Sequence, residues 1–209
     1  MRPDGKKAAG VTRDPDRTRS RILAAALAEF SAKGFAGARV DAIARRAKGN
    51  KRMLYHYFGN KVELFSAVLR HKMAERQTWA ASLSSDPTER VPFWFETACG
   101  DPDWIRLLEW EALQSGAGKV IDERKRRAAS VGWLQRLRQR QQRGQLTTAF
   151  DPVHLALAMQ SLTIFPAAFP QLVRLTTGKS VHDAKFQADY RRFLREFTAA
   201  FKPRRRAGK

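Results

Sequence analysis

Apolar residues between positions 22 and 69 return at steps of three and four, and Gly34, Gly49 and Gly59 cut the run at short intervals. Ile22, Leu23, Ala26, Leu27 and Phe30 share one helical stripe. Asp14-Pro15 opens it: aspartate can cap orphan N–H groups and proline suits the first helical position. Gly34 stands where a left-handed C-cap would end that helix. Val40, Ile43, Ala44 and Ala47 then recur at i, i+3, i+4 and i+7. Lys48-Gly49-Asn50 interrupts, and a second short helix follows from about Asn50 to Phe58. Beyond Gly59, Asn60 with Glu63 reads as a capping box ahead of Val62, Phe65, Val68 and Leu69. Two short helices joined by a glycine-containing turn and framed by longer ones make a helix-turn-helix. Nothing in the chain alternates with period two, so the expected class is all-α.

The second short helix has two unlike sides. At about 100° per residue, Leu54 and Phe58 share a side with Asn50, flanked by Met53 and Tyr57. Arg52, Tyr55 and His56 fall opposite, with Lys51 at the edge. Leu54 and Phe58 suit packing on the Val40/Ile43/Ala44 stripe. Burying Tyr55 and His56 beside Arg52 would instead demand polar partners that so short a helix does not supply. Lys and Arg can read guanine edges or neutralise phosphate, Tyr and His can donate to phosphate oxygens, and Met53 can meet a thymine methyl. Residues 1–60 carry 14 Lys and Arg against 5 Asp and Glu, which suits the same polyanion. The outward face is therefore expected to lie against DNA.

Residues 18–69, "TRSRILAAALAEFSAKGFAGARVDAIARRAKGNKRMLYHYFGNKVELFSAVL", resemble the DNA-binding domain of the tetracycline-repressor (TetR-like) family of bacterial transcription regulators. The likeness holds in register across the glycine-aromatic pair after the first helix, the V-x-x-I-A helix and L-Y-H-Y-F-x-x-K. It implies that Lys51, Arg52 and Met53 read bases and that Tyr55, His56, Tyr57 and Lys61 meet phosphates. Where the family usually has a capping Ser or Thr, this chain has Arg39. Arginine can reach a phosphate but cannot accept the helix's orphan N–H bonds, so packing is expected to hold that helix start.

After residue 84 the pattern stays helical, at about 88–99, 102–115, 119–143, 152–164 and 183–201, with Asp101-Pro102 and Asp151-Pro152 as further helix starts. Pro166 and Pro170 are expected to stop the fourth of these. The expected organisation is a basic arm at 1–13, a helix-turn-helix domain at 14–61, a helical regulatory and dimerisation domain at 62–201, and a basic tail at 202–209. A weaker resemblance of "PDWIRLLEWEAL" and "FPQLVRLTTGKSVHDAKFQADYRRFL" to the family's C-terminal domains implies an inducer pocket and a dimeric four-helix bundle. Phe95, Trp104, Leu108, Trp110, Glu111 and Trp133 are the candidate pocket residues, although an aromatic helical stripe is more often core. A buried carboxylate at Glu109 or Glu111 would select a cationic ligand, but a solvated or salt-bridged face is the commoner outcome for such residues. Val153, Leu157 and Ile164, with Phe186, Tyr190, Phe193 and Phe197, offer more apolar surface than one small domain covers, and a twofold homodimer is the common solution.

The chain has 40 Lys and Arg against 20 Asp and Glu, a formal net charge of +20, which attracts polyanions. A single cysteine, Cys99, excludes an internal disulfide or a multi-cysteine zinc site and suits a reducing cytoplasm. No stretch approaches the roughly 18 apolar residues of a membrane span, and the N-terminus lacks the apolar region of a secretory signal. His56, His71, His154 and His182 have no metal-ligand spacing, and no nucleophile or phosphate-loop motif is present. The expectation is no enzyme, no cofactor and no metal. It is a sequence-specific regulator, most simply a repressor released from a palindromic operator on double-stranded DNA by a small-molecule effector. A non-specific basic nucleic-acid-binding protein is the alternative.

Overall fold

A computed structural model describes residues 14–115, 118 and 120–202. The basic arm expected at 1–13, and all of the expected tail except Lys202, lie outside the described residues. Those described form ten helices and no strand: α1 (Pro15–Gly37), α2 (Val40–Arg46), α3 (Lys51–Phe58), α4 (Lys61–Ser82), α5 (Pro87–Gly100), α6 (Pro102–Ser115), α7 (Glu123–Gln142), α8 (Pro152–Ala168), α9 (Pro170–Thr177) and α10 (Ala184–Ala199). The all-α class follows.

The helix starts are set by short acceptors. Asp14 accepts from the N–H groups of Asp16 and Arg17, and Asp151 from those of Val153 and His154. Asp101 accepts from the Trp104 N–H (3.3 Å). Asn60 accepts from Glu63 N–H (2.9 Å), while its own N–H goes to the Phe58 carbonyl (2.8 Å), so the capping box is half formed. The turn between α2 and α3 closes with Gly49 N–H donating to the Ala44 carbonyl (2.9 Å) and Lys48 N–H to that of Arg45 (3.0 Å), the pairing of a Schellman motif. Its left-handed position falls on Lys48 (φ 50°) rather than on a glycine.

Two cores divide the chain. The first joins Ile22, Leu23 and Phe30 of α1, Ile43 of α2, Leu54 and Phe58 of α3, and Leu64, Phe65 and Leu69 of α4 to Leu107 of α6. Packing thus groups the first half of α4 with the N-terminal helices, whereas the sequence pattern divides the domains at 61/62. The second core joins Val91 and Phe95 of α5, Leu137 of α7, Leu155 and Met159 of α8, Val173 of α9 and Leu194 of α10.

Two features tie the cores together. Helical hydrogen bonding carries α1 past Gly34 to Gly37, but Gly34 itself takes φ 69°, and the Trp110 indole of α6 lies against it. A Cβ at Gly34 would stand 2.6 and 2.7 Å from two indole carbons. The Trp110 Nε1–H donates to the Ser31 carbonyl (3.2 Å). Farther along α4, Lys72 and Arg76 both pair with Asp101, at 2.7 and 2.9 Å, and Arg76 stacks over Trp104 at 4.4 Å. Burial works against the Asp101 carboxylate, yet its bonds to Lys72 and Arg76 hold it below the usual carboxylate range.

Pro166 does not stop α8, which continues to Ala168, and Pro170 begins α9, a helix the sequence pattern does not reveal. The reason for the first lies on another helix. Proline lacks the N–H that would bond the carbonyl four residues back, at Leu162. The Tyr190 hydroxyl of α10 donates to that carbonyl at 3.1 Å, so the orphaned acceptor is satisfied. Among the described residues no single helix is long and apolar enough to cross a membrane. The α8–α9 pair, bent by 86°, passes a length and composition test only jointly.

Two stability tests follow. Gly34→Ala adds a side chain at positive φ against a fixed indole and should cost about 2–4 kcal/mol in urea melts. Tyr190→Phe should cost about 1–3 kcal/mol, because a buried acceptor loses its donor while the ring stays in place. A neutral result for Tyr190→Phe would mean that the Leu162 carbonyl finds another partner.

Candidate nucleic-acid interface

α3 is short, and its orientation is fixed by two buried residues. Leu54 and Phe58 face the first core with Ile43, Ala44 and Ala47. Asn50 caps the helix by accepting from Met53 N–H (2.9 Å). The opposite side carries Lys51, Arg52, Tyr55 and His56, all exposed, with Met53 and Tyr57 half-buried at its margin. His56 and Tyr57 meet edge to face at 5.5 Å.

The expected contact residues are not all equally free. Arg39 and Arg52 are exposed and make no ion pair among the described residues, and the same holds for Arg45, Arg46 and Lys48 beside them. Lys51 instead pairs with Asp41 of α2 at 2.7 Å. Lys61 is half-buried, donates to the Ala36 carbonyl (3.3 Å) and lies 4.9 Å above the Phe35 ring. Tyr57 packs partly into the first core. The free cations and Tyr55 are therefore ready for an anion, whereas Lys51 and Lys61 must first exchange a partner.

Arg39 sits at the start of α2 with no side-chain cap, as its chemistry requires. Packing alone does not replace the missing acceptor. Glu29 of α1, almost fully buried, accepts from the Arg39 backbone N–H (3.2 Å) and from Lys33 (2.8 Å). The hydrogen bond from Lys33 outweighs burial and keeps the Glu29 carboxyl below its ordinary value.

Sequence reasoning missed part of this surface. An open recess of about 660 Å³ runs between α1 and α3, and Thr18 and Arg21 line it together with Lys48, Asn50, Arg52, Met53, His56 and Tyr57. Thr18 and Arg21 stand three apart on α1, away from the Ile22/Leu23/Ala26 stripe, and that spacing was the available signal. Arg19 stacks over the Phe58 ring at 5.3 Å.

The six candidate pocket residues divide between the cores: Phe95 and Trp133 pack in the second, and Trp104 against the first. Phe95 is wholly buried in the second core, with Tyr190 against it at 4.7 Å. Trp104 lies under Arg76, Trp110 against Gly34, and Trp133 under Arg90 at 4.9 Å. Glu111 is buried and fully engaged, accepting two bonds from Arg126 (2.8 and 2.7 Å) and one from the Ile121 N–H. The Glu111 carboxylate is thus not free for a cationic ligand, whereas Glu109 is half-buried, pairs with no cation among the described residues, and has its carboxyl raised by burial. Leu108 is half-buried beside these contacts.

The candidate dimer residues are sorted by the fold. Val153, Leu157 and Phe193 are exposed, and Ile164, Phe186 and Phe197 are half-buried. Tyr190 bonds within its own chain, to Leu162, and burial pushes its hydroxyl up to about 12. Phe186, Tyr190, Phe193, Phe197 and Phe201 form a continuous ladder with centroid steps of 5.0–5.6 Å. Phe165, Phe169, Leu172 and Leu175 are further exposed apolar residues at the α8–α9 elbow, which the sequence pattern does not single out.

The geometry has relatives. Residues 22–68 match the model of bacterial regulatory proteins of the tetR family, and residues 88–199 match a tetracyclin repressor-like C-terminal domain. The chain is 35% identical over 172 residues to the HTH-type transcriptional repressor SCO4008 of Streptomyces coelicolor, covering 80% of this chain and 88% of that one. It is 32% identical over 189 residues to the HTH-type transcriptional repressor NicS of Pseudomonas putida, covering 86% and 89%. The crystal structure of SCO4942 from Streptomyces coelicolor superposes with a TM-score of 0.75 at 29% identity, over 90% of this chain and 99% of that one. The chain belongs to the tetR family of bacterial regulatory proteins and is a DNA-binding transcription regulator, not an enzyme.

Proposed function

We propose that this chain is a repressor that binds a palindromic operator as a homodimer and leaves it when a small molecule occupies the second helical unit. One observation carries the reading. α3 turns Leu54 and Phe58 inward and presents Arg52, Tyr55 and His56 outward, flanked by cations that have no acidic partner among the described residues. Unpaired cations around a protruding helix suit a phosphate backbone, and the fork of Arg52 suits a guanine edge. The relatives named as repressors support the sign of regulation.

The homodimer is supported by the apolar face of α8 and α10. Val153, Leu157 and Phe193 are exposed there, beside the aromatic ladder of α10. A twofold axis through that face would hold two copies of α3 about one DNA turn apart, roughly 34–36 Å. The compartment is then the one that holds the chromosome, the cytoplasm of a bacterial cell.

Selection of bound sites from random duplexes tests the DNA reading. The selected site should be bound ~10³-fold or more tightly than random DNA at physiological salt. A ratio of a few fold would make the chain a non-specific binder. Arg52→Ala should lose about 1–3 kcal/mol of discrimination at one base pair per half-site, whereas Tyr55→Ala should weaken all sequences alike. Leu157→Glu should shift sedimentation to the monomer and weaken operator binding without altering the helical content seen by circular dichroism. Wild-type sedimentation as a monomer at micromolar concentration would refute the dimer.

A further inference from the structure

Sequence reasoning looked for a buried carboxylate that would choose a cationic ligand, and the deeply buried one in that region, Glu111, is matched by Arg126. The uncompensated buried charge has the opposite sign. Arg90 of α5 is 6% exposed, and it forms no ion pair among the described residues. The one hydrogen bond of its side chain among those residues goes to the Ala80 carbonyl at 3.4 Å, the long limit for such a contact. The charge that acts on it is another cation, Arg136 of α7, and burial together with that neighbour lowers its proton affinity.

The nearby carboxylate is already engaged. Asp86 accepts from the N–H and the hydroxyl of Thr88 (3.0 and 2.8 Å), and it pairs with Lys202 (3.0 Å) and Arg140 (3.4 Å). Even so, the buried Nε of Arg140 has no acceptor among the described residues. Arg140 and Lys202 therefore share Asp86, and neither Arg90 nor Arg136 has an acidic partner among the described residues. A buried guanidinium without a counter-ion is costly and is retained where an anion completes it.

The surroundings specify the anion. The Arg90 guanidinium carbon lies 4.9 Å from the Trp133 ring centroid and 6.0 Å from that of Trp94, and only one of its nitrogens, Nη1, has a hydrogen-bond acceptor among the described residues. A guanidinium edge matches a carboxylate in two parallel bonds. Trp94 and Trp133 are half-buried and offer flat apolar walls to the remainder of the molecule. Arg136 is exposed and is the charged neighbour of Arg90.

We infer that Arg90, with Trp94 and Trp133 beside its guanidinium and Arg136 as its charged neighbour, where α5 meets α7 beside the end of α4, is the effector site and that it takes a small aromatic carboxylate. This rests on the reading of the chain as a ligand-released repressor. The competing account, in which Arg90 serves only to close the carbonyl end of α4, requires no anion.

Tryptophan fluorescence of the free protein separates the two without DNA. Benzoate, salicylate and nicotinate serve as probes, with benzamide and nicotinamide as neutral counterparts. At least one acid should give a saturable change and its amide none. Arg90→Met should weaken that acid about tenfold or more, as loss of a charge-assisted pair demands. Arg136→Gln, an exposed change that leaves the fold intact, should weaken it severalfold. No saturable change with any of the acids, equal response to acid and amide, or an unaltered affinity in both variants overturns the site. Operator binding is then measured with and without the bound acid. Release supports the effector assignment, and unchanged operator affinity in the saturated protein overturns it. Failure of operator recognition by the free protein would instead count against the repressor reading, leaving the fluorescence result to stand by itself.

Discussion

The insertion of Trp110 against Gly34 is the contact on which the arrangement of the two halves depends. An indole can lie on a backbone only where no side chain intervenes, and Gly34 supplies both that gap and the left-handed turn that lets α1 change direction before α2. The ring is then anchored by its N–H to Ser31, so α6 is fixed in rotation as well as in distance. Because α6 also contributes Leu107 to the first core and starts at Asp101, a shift of α6 is felt at both α1 and α4. Lys72 and Arg76 hold α4 to the same Asp101, so α1 and α4 are both tied to the start of α6.

Much of this was legible in the chain, and the reasons differ by element. α1 and α3 were readable because each carries an Asp or Asn at its start and a glycine near its end, α2 by its apolar stripe and the glycine turn after it, and α4 by its Asn60 cap and apolar stripe. The outward side of α3 was readable for the same reason, since Leu54 and Phe58 leave only one possible inner face. α8 was misjudged because the rule that proline ends a helix is a local one, and the donor that rescues the Leu162 carbonyl comes from Tyr190, 28 residues away. α9 escaped because eight residues between Pro170 and Gly178 contain too few turns to show a period. Thr18 and Arg21 were hidden by distance in sequence from the helix whose flank they complete.

The candidate pocket shows the limit of reasoning from residue type. Tryptophans crowd residues 79–133, yet each of three is committed elsewhere: Trp104 to a guanidinium, Trp110 to a glycine, Trp133 to Arg90. Aromatic content signals bulk, and pairing decides what the bulk does. Glu111 illustrates this in reverse, for a carboxylate that looked available in sequence is neutralised by an arginine fifteen residues on. Charge pairing in three dimensions, rather than composition, distinguishes a solvated or structural ion from one that waits for a partner.

The pair between Lys51 and Asp41 bears on how salt governs DNA affinity. Each lysine that neutralises a phosphate ordinarily liberates a condensed counterion, and the number liberated sets how steeply binding weakens with ionic strength. Were Lys51 to transfer to a phosphate, that phosphate would still free its counterion, but Asp41, now 2.7 Å from the ammonium, would be left unpaired beside the duplex. That repulsion would offset part of the gain, so a lysine already holding an exposed acid adds less to adhesion than the unpaired Arg52 beside it.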